Sequence, residues 1–321
     1  MRVRESCRHP PARGADLRGL LALLAGGAAI AFAPIAVRIA DVSPPASAFW
    51  RVAFALLALV PAAAWQARRA RSSADAVEDR VHPGPGRSDR ASILAGLFFA
   101  GDLTVWHLAI IWTTVANATL EANFAPVVVA LAAWAGFGQR VGRSFVVALI
   151  VSMTGAMLLI GPHVGAAGPA LRGDALGCLT AVFYAGYMLA VAAASRTAPT
   201  LRIACVATAV AAMALLPWAA VMADRFWPHS AAGWLVLAGM GLVSHAGGQT
   251  LIAYGLWRVA ASIGSVTLLV QPILAAIYAA AFLGERIGPV EAAGAVVVLI
   301  GIAMARRTAR TEPCTTKPDA G

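Results

Sequence analysis

The chain has 321 residues, of which 60% are hydrophobic and 12% are charged. Soluble domains carry about 45–50% apolar and about 25% charged residues, so this composition excludes an ordinary soluble domain and predicts a polytopic membrane protein. The formal net charge of +10 would suit nucleic acid, but the basic residues lie in the connections between apolar segments. We therefore predict that the chain lies in a lipid bilayer and does not bind nucleic acid.

The apolar segments are long enough to cross about 30 Å of hydrocarbon, and there are ten of them. They are residues 19–37, 45–66, 91–111, 115–137, 144–161, 173–194, 201–223, 232–253, 260–283 and 290–305. The first is too long for the core of a secretory signal peptide, which spans about 7–15 residues, so we expect it to be retained as an anchor. Residues 1–18 form a basic N-terminus, residues 67–90 have the composition of a disordered loop, and residues 306–321 form a polar tail.

An internal repeat divides the chain into two halves. A shift of 146 positions places the stretch 106–140 on 252–286, with Pro126 on Pro272 and Gly155 on Gly301. The halves are residues 19–161 and 173–305, and each contains five predicted helices. Because five is odd, the second half enters the membrane in the opposite sense, which predicts an inverted repeat of the kind found in secondary transporters.

Basic residues are distributed unequally between the two sides of the predicted membrane. Alternate connections place twenty Lys and Arg residues on the side of the termini and four on the other side. Positive charge is retained in the cytoplasm, so we predict a multi-pass protein of the inner (plasma) membrane with both termini cytoplasmic.

At this point the sequence resembles the drug/metabolite transporter superfamily, in its EamA-type branch. The resemblance is carried by Phe49-Trp50-Arg51, Asp102 to His107, Ala116-Asn117-Ala118-Thr119-Leu120 with Pro126, and Leu283-Gly284-Glu285-Arg286. It implies an all-α membrane protein in which ten transmembrane helices form two inverted five-helix repeats around a substrate cavity. It also implies a permease that exports or exchanges a small metabolite or drug, driven by gradients. One departure is Gln139, which stands where the second copy has Glu285.

Four ionisable residues lie inside predicted helices, where an unpaired charge costs at least about 2.5–3.5 kcal/mol. They are Arg51, Asp102, Glu121 and His245. Asp102 lies about eleven residues into helix 3, or roughly 16 Å, near the midplane. We hypothesise that Asp102 couples proton and substrate movement; the alternative is a protonated Asp bonded to a neighbouring helix.

Arg51 and Glu121 share a level about six residues, or roughly 9 Å, below the outer face. We expect Arg51 to pair with Glu121 or with Asp102. Such a pair would act as a gate, or its arginine would bind a substrate carboxylate; alternatively, it is a structural salt bridge.

Further candidate residues surround these charges. Trp106 shares a helix face with Asp102, and His107 lies to the side. His245 is either a second proton carrier or a hydrogen-bonded packing residue. Asn117 shares a stripe with Glu121, whereas Asn123 is expected to face elsewhere.

Helix 9 contributes Gln271 to the corresponding region of the second half. Pro126 and Pro272 each remove a backbone hydrogen bond, so they predict kinks that line the cavity or, alternatively, simple curvature. Small residues such as Gly155, Gly294 and Gly301 predict close packing of helices 5 and 10, and a homodimer through these two helices is a further hypothesis.

No sequence pattern for a zinc, serine-nucleophile or phosphate-loop site is present, so we predict no enzyme activity, cofactor or metal. The predicted function is alternating-access transport of a small molecule, either amino-acid-like or drug-like. The alternatives are a passive channel or facilitator, or an intramembrane enzyme.

Overall fold

The computed structural model describes residues 16–72, 86–112, 121–137, 142–160, 169–284 and 287–308. All regular structure within these residues is helical. The helices of the first half are α1a (Leu17–Ile30), α1b (Ala33–Ile39), α2 (Pro44–Ser72), α3 (Gly86–Trp112), α4 (Ala125–Phe137) and α5 (Arg143–Ile160). Those of the second half are α6 (Pro169–Ala194), α7 (Thr200–Met222), α8a (Ala231–Gly239), α8b (Thr250–Arg258), α9a (Ala261–Thr267), α9b (Val270–Leu283) and α10 (Pro289–Thr308), with a π-helical segment, Met240–Gln249, joining α8a to α8b.

Eight helical spans among the described residues are long and apolar enough to cross a membrane. A shorter apolar helix, Arg143–Leu158, corresponds to predicted helix 5, and α4 covers the described part of predicted helix 4. Each of the ten predicted segments therefore has a helical counterpart. One boundary prediction is wrong, because α2 runs to Ser72 and α3 begins at Gly86, so both ends of the expected loop 67–90 are helical.

Four of the helices that were predicted to be continuous are interrupted within the described residues, helix 4 at Asn123–Phe124 and three others. Helix 1 breaks at Ala31–Phe32 and helix 9 at Leu268–Leu269, while helix 8 contains the π-helical segment. Pro34 lies in the first turn of α1b, where its missing N–H needs no helical partner. The interpretation given for Pro126 and Pro272, that a proline accompanies an interruption of a helix, therefore applies to Pro34 as well.

The packing of the helices follows an approximate two-fold relation between the halves. Helix α3 packs on α6 as helix 8 packs on α1a, and α4 packs on α6 as helix 9 packs on α1a. Helices α2 and α7 pack on each other, as do α5 and α10. These contacts between the halves are related by exchange of one half for the other, as two inverted five-helix repeats require.

Glycines allow the closest approaches between helices. A Cβ on Gly155 would lie 2.8 Å from the carbonyl oxygen of Gly294, and a Cβ on Gly26 would lie 2.8 Å from that of Gly248. Gly301 lies against Ser152 in the same way. The predicted close packing of helices 5 and 10 is therefore present within one chain, and the homodimer stays a prediction.

Polar contacts tie the helix ends together at the face where α1a begins, which we call the terminal face. Arg258 donates to Asp16 at 2.6 Å, and Arg202 donates to Asp89 at 2.8 Å. The hydrogen bond from Arg258 lowers the pKa of Asp16 below its usual range. These contacts join helix 8 to α1a and α7 to α3.

At the other end of the bundle, which we call the opposite face, Asp41 holds the start of helix 8. Its Oδ2 accepts hydrogen bonds from the backbone N–H groups of His229 and Ser230 and from the Ser230 hydroxyl. The bond from the Ser230 hydroxyl is the main cause of a lowered pKa at Asp41. In addition, Trp50 Nε1 donates to the carbonyl oxygen of Phe226 at 2.8 Å. The α1b–α2 connection is thus fastened to the beginning of α8a.

Candidate substrate cavity

A cavity of about 100 Å³ lies between the two halves. The first half contributes Ile30, Ala31, Ala33, Pro34, Arg51, Phe99, Asp102, Leu103, Trp106, Ala122 and Asn123, and the second contributes Thr180, Tyr184, Gln249, Gln271 and Ala275. A site for one water needs about 10–15 Å³ of such space, so this cavity has room for several waters or a small ligand. Its wall is apolar with a few converging polar groups, the usual make-up of a ligand site.

Arg51 reaches the cavity from α2 and is 5% exposed. Its guanidinium carbon lies 5.7 Å from the centre of the Phe99 ring. Its Nε is buried and has no hydrogen-bond partner, and the structure gives Arg51 no ion pair with a described acid. The guanidinium lies against an aromatic ring and interacts with the charge of Asp102, and it lines the cavity, where it can donate to an incoming acceptor.

Asp102 lines the same cavity from α3 and is half-buried. It is close enough to Arg51 for the two charges to interact, yet the two side chains do not form an ion pair within 4.0 Å. The structure therefore brings together the two charges whose pairing was one of our expectations and leaves a separation between them.

Trp106 also lines the cavity, one turn after Asp102, as their shared helix face predicted. His107 does not line it and is fully buried. Its Nδ1 lies 2.6 Å from the carbonyl oxygen of Leu103, which can only accept, so Nδ1 carries the hydrogen. The His107 ring packs at a right angle to the Trp106 indole, so His107 supports the wall rather than forming it.

Glu121 does not face the cavity, and the expected pair between Arg51 and Glu121 is not formed. Its carboxyl group lies against Gly177 of α6 and interacts with Asp174. Glu121 precedes the turn at Asn123–Phe124, which changes the direction of the chain. The prediction of a common level for Arg51 and Glu121 used only their positions along the helix axes and held no information about the direction of the side chains around those axes.

Asn123 lines the cavity, contrary to the expectation that it faces elsewhere. That expectation assumed an unbroken helix through residues 115–137, whereas the turn at Asn123–Phe124 interrupts it. Asn117 lies outside the described residues.

His245 lies behind the cavity wall, in the π-helical segment. Its Nε2 is 2.9 Å from the Thr208 hydroxyl, and its ring centre is 5.0 Å from that of Phe99. Phe99 itself lines the cavity. In this conformation His245 is therefore separated from the cavity by an aromatic ring.

The two predicted kink prolines lie just after the breaks in helices 4 and 9. Pro126 is the second residue of α4 and Pro272 the third residue of α9b. Gln271 and Asn123, which neighbour the breaks, both line the main cavity, and both also border a smaller void beside Pro126. The interruptions thus present polar side chains, from both halves, to the same space.

A family model matches this chain over residues 17–161 and 171–307, and it describes the EamA-like transporter family. The chain belongs to the EamA-like transporter family. Each matched segment covers one five-helix half, so the family assignment agrees with the repeat, and the resemblance noted from the sequence is confirmed. This EamA-like chain is therefore a multi-pass membrane transporter for a small molecule.

Two further similarities agree with the family. The chain is 26% identical over 216 residues to an uncharacterized transporter, YwfM, of Bacillus subtilis (strain 168), covering 65% of this chain and 70% of the relative. A solved structure described only as the crystal structure of a protein superposes with a TM-score of 0.72 at 20% identity, covering 91% of this chain and 97% of the other. The second similarity concerns the fold alone.

Sequence reasoning missed several cavity residues of this EamA-like transporter. Gln249 lines the cavity and its Oε1 accepts a hydrogen bond from the Tyr187 hydroxyl at 2.9 Å. Tyr184 lines it as well, and Gln271 Nε2 donates to the Tyr184 hydroxyl at 3.4 Å. Gln249 stands out as an amide within an apolar span, a signal that a search for ionisable residues alone passes over. Among the described residues there is no cluster of three metal-ligating acids, histidines or cysteines.

Proposed function

We propose that this EamA-like transporter carries a small zwitterion of the amino-acid type through the central cavity by alternating access. The observation that supports this substrate class is the presence of Arg51 and Asp102 on one cavity with no ion pair between them. Two opposite charges held apart match the carboxylate and ammonium groups of a zwitterion.

The energetics favour a carboxylate at Arg51. A charge at membrane depth costs at least about 2.5–3.5 kcal/mol unless it is paired or hydrated. The Arg51 guanidinium, which lines the cavity, offers a charge-assisted hydrogen bond, which is roughly twice as strong as a neutral one. A substrate carboxylate at this position would neutralise the guanidinium.

The ammonium group would lie at Asp102, one helical turn from the indole of Trp106. An aromatic face attracts a cation within about 6 Å of its centre, so Trp106 would add to the attraction. The amides of Gln249 and Gln271 would then contact the remainder of the substrate. A cavity of about 100 Å³ also favours a small metabolite over drug-sized molecules, whose sites typically occupy about 300–1,000 Å³.

Alternating access follows from a cavity whose walls come from both inverted halves. Leu23, Leu256 and Leu268 belong to the buried core and lie between the cavity and the terminal face, so we assign this conformation as closed on that face. With twenty basic residues against four, we assign the terminal face to the cytoplasm of the plasma membrane. Export or exchange would then require the leucine contacts to separate.

Asp102 is our candidate for proton coupling. It is the cavity's acid, and neutralising it by a proton or by a substrate ammonium group are competing events on the same oxygen atoms. Proton binding would therefore release the ammonium group, and substrate binding would displace the proton.

Counterflow in proteoliposomes tests this function. Purified protein would be loaded with an unlabelled amino-acid mixture and presented with labelled zwitterionic amino acids, a nucleoside or a lipophilic cation. We expect saturable counterflow of at least one amino acid, reduced strongly in Arg51→Gln but not in Arg196→Gln, which changes an exposed arginine outside the cavity. Unsaturable electrical conductance would instead identify a channel, and transport of the lipophilic cation alone would refute the zwitterion.

A further inference from the structure

Two amide side chains of the cavity wall are held by tyrosines of a single helix, α6. The Tyr187 hydroxyl donates to Gln249 Oε1 at 2.9 Å, and Gln271 Nε2 donates to the Tyr184 hydroxyl at 3.4 Å. The two tyrosines lie about one turn apart on one face of α6, and their rings stack at 11° with centres 6.2 Å apart. Helix α6 therefore anchors one amide from the π-helical segment and one from α9b.

The contact with Tyr187 determines which end of the Gln249 amide is available to a ligand. Gln249 and Tyr187 are each 4% exposed, so the polar atoms of both need partners. With Oε1 toward the hydroxyl, the tyrosine hydrogen has an acceptor and the amide keeps the N–H donors of Nε2. With the amide reversed, Nε2 would donate to the hydroxyl, and the tyrosine hydrogen would need a different acceptor. Gln249 thus offers N–H donors to the cavity that it lines.

Gln271 has the opposite arrangement. Its Nε2 is engaged with the Tyr184 hydroxyl, which leaves Oε1 as the group that it presents to the cavity, and an amide oxygen is an acceptor. This contact is longer than that of Gln249, and Gln271 is half-buried, so its orientation is held less firmly. The two amides therefore supply an uncharged donor and an uncharged acceptor to one cavity.

These amides can do what the two charges of the cavity cannot. Arg51 and Asp102 match the carboxylate and the ammonium group of the proposed zwitterion, and every amino acid carries both groups. Discrimination between amino acids therefore depends on the residues that contact the substrate side chain. A donor from Gln249 and an acceptor from Gln271 suit a side chain that both accepts and donates a hydrogen bond, as a hydroxyl or a carboxamide does.

We propose that Gln249, with Tyr187 as its positioning residue and Gln271 as the complementary acceptor, selects amino acids with a hydroxyl or carboxamide side chain over apolar ones of the same shape. The inference rests on the proposed zwitterion transport and names its substrate class more closely. A hydrocarbon side chain would leave the buried N–H groups of Gln249 without a partner, which costs more than an absent neutral hydrogen bond. A site built to bond a substrate hydroxyl rejects the analogue that lacks it more strongly than a pocket rejects by size.

Counterflow with substrates of equal shape tests this selection. Threonine and valine differ by a hydroxyl against a methyl group, and asparagine and leucine differ by a carboxamide against a branched hydrocarbon. With full-length protein in proteoliposomes, we expect initial rates at limiting concentration to favour threonine over valine, and asparagine over leucine, by at least about tenfold.

Tyrosine variants connect these ratios to the structure. Tyr187→Phe removes only the hydroxyl, so the Gln249 amide can turn, and both ratios should fall at least about threefold. Tyr278→Phe is the matched control, because Tyr278 belongs to α9b but does not line the cavity, and it should leave both ratios unchanged.

Equal rates for threonine and valine, with saturable counterflow of both, would overturn this selection and leave the proposed transport intact. Ratios that Tyr187→Phe does not change would also overturn it, since the hydroxyl would then serve only the packing of α6 against helix 8. If Tyr187→Phe does not fold, Gln249→Met and Gln271→Met decide the matter, because each keeps the length of the side chain without its amide. An unaltered ratio in either variant refutes the paired assignment. Absence of counterflow with every amino acid would instead refute the zwitterion itself, and the selection with it.

Discussion

The two halves of the molecule share their helix packing but differ in their charges. The shift that aligns the repeats places Gly248 opposite Asp102 and Thr267 opposite Glu121. The Thr267 hydroxyl donates to the carbonyl of Ile263 in its own helix at 2.8 Å, so it needs no partner elsewhere. The two halves thus share the helix packing that holds the bundle together, whereas the buried acids Asp102 and Glu121 of the first half have no acidic counterpart in the second.

The helix pairs that are related by the repeat also differ in how they pack. In the pair α3–α6, Gly101 lies under the ring of Phe183, and Gly186 lies under the ring of Phe98. In the related pair, Gly26 of α1a meets Gly248 of helix 8, backbone against backbone. Gly248 lies in the π-helical segment, and a side chain as large as Asp at this position would collide with α1a. The second half therefore has a close helix contact at the position where the first half carries its central acid.

The largest effect is expected when the positive charge of Arg51 is removed. Arg51→Gln removes the proposed carboxylate partner and should lower counterflow at least about 30-fold, the equivalent of about 2 kcal/mol for truncating one member of a buried charge pair. The initial rate of counterflow in proteoliposomes measures it. The control is Arg196→Gln, and equal rates for the two variants would remove Arg51 from the mechanism.

The next prediction concerns the neutralisation of Asp102, whose counterpart in the second half, Gly248, is uncharged. Asp102→Asn keeps the shape of the side chain but can neither neutralise an ammonium group nor release a proton, so substrate exchange should weaken yet persist through Arg51, while transport driven by a pH gradient is lost. Exchange and pH-driven uptake, measured on the same vesicles, separate the two activities. Full gradient-driven transport in Asp102→Asn would show that coupling resides elsewhere.

The third prediction concerns the helix packing, which the two halves share. Gly155→Ala places a methyl group against the backbone of α10, where Val298 and Gly294 leave no space, and should destabilise the protein by about 1–3 kcal/mol through overpacking. Thermal unfolding in detergent is the measurement. Gly239→Ala is the matched control, because a Cβ at Gly239 meets no atom within 4 Å, and it should leave the melting temperature unchanged or slightly raised.

The smallest expected effect concerns Asp16 and Arg258 at the terminal face. Because hydrogen bonding lowers the pKa of Asp16 in the folded protein, the contact stabilises the fold above the pKa of the unfolded chain, about 3.9. That contribution is lost as the pH falls through the folded pKa. Asp16→Asn should therefore lower the melting temperature slightly at neutral pH and make no difference in strong acid. A difference that grows on acidification would contradict this assignment.

Much of the fold was predictable because it depends on the length of the apolar segments, their hydropathy and the internal repeat, all of which can be read from the order of the residues. Segment length and hydropathy located ten helices, and the repeat predicted their inverted arrangement. Prolines at 34, 126 and 272 accompany breaks for one physical reason, although Pro34 was not among our predictions. Pro126 and Pro272 were, and both follow interruptions.

The cavity was less predictable, because it depends on the direction of each side chain around its helix. Depth grouped Arg51 with Glu121 and left Asp102 as the alternative partner, whereas the structure brings Arg51 and Asp102 to one cavity and turns Glu121 toward α6. His245 has the right depth and lies behind Phe99. Tyr184 and Gln249 come from helices whose neighbours only the three-dimensional packing reveals. The roles assigned to these residues stay predictions.

Asp41 gives the bundle a mechanical constraint. One carboxylate oxygen between α1b and α2 receives three hydrogen bonds from residues at the start of helix 8. The connection between α1b and α2 in the first repeat is thereby hydrogen-bonded to the start of helix 8 in the second. In the proposed alternating-access cycle, any movement that opens the cavity must either keep this contact intact or break it. We therefore expect that a substitution of Asp41 would alter the rate of that cycle without contacting the substrate.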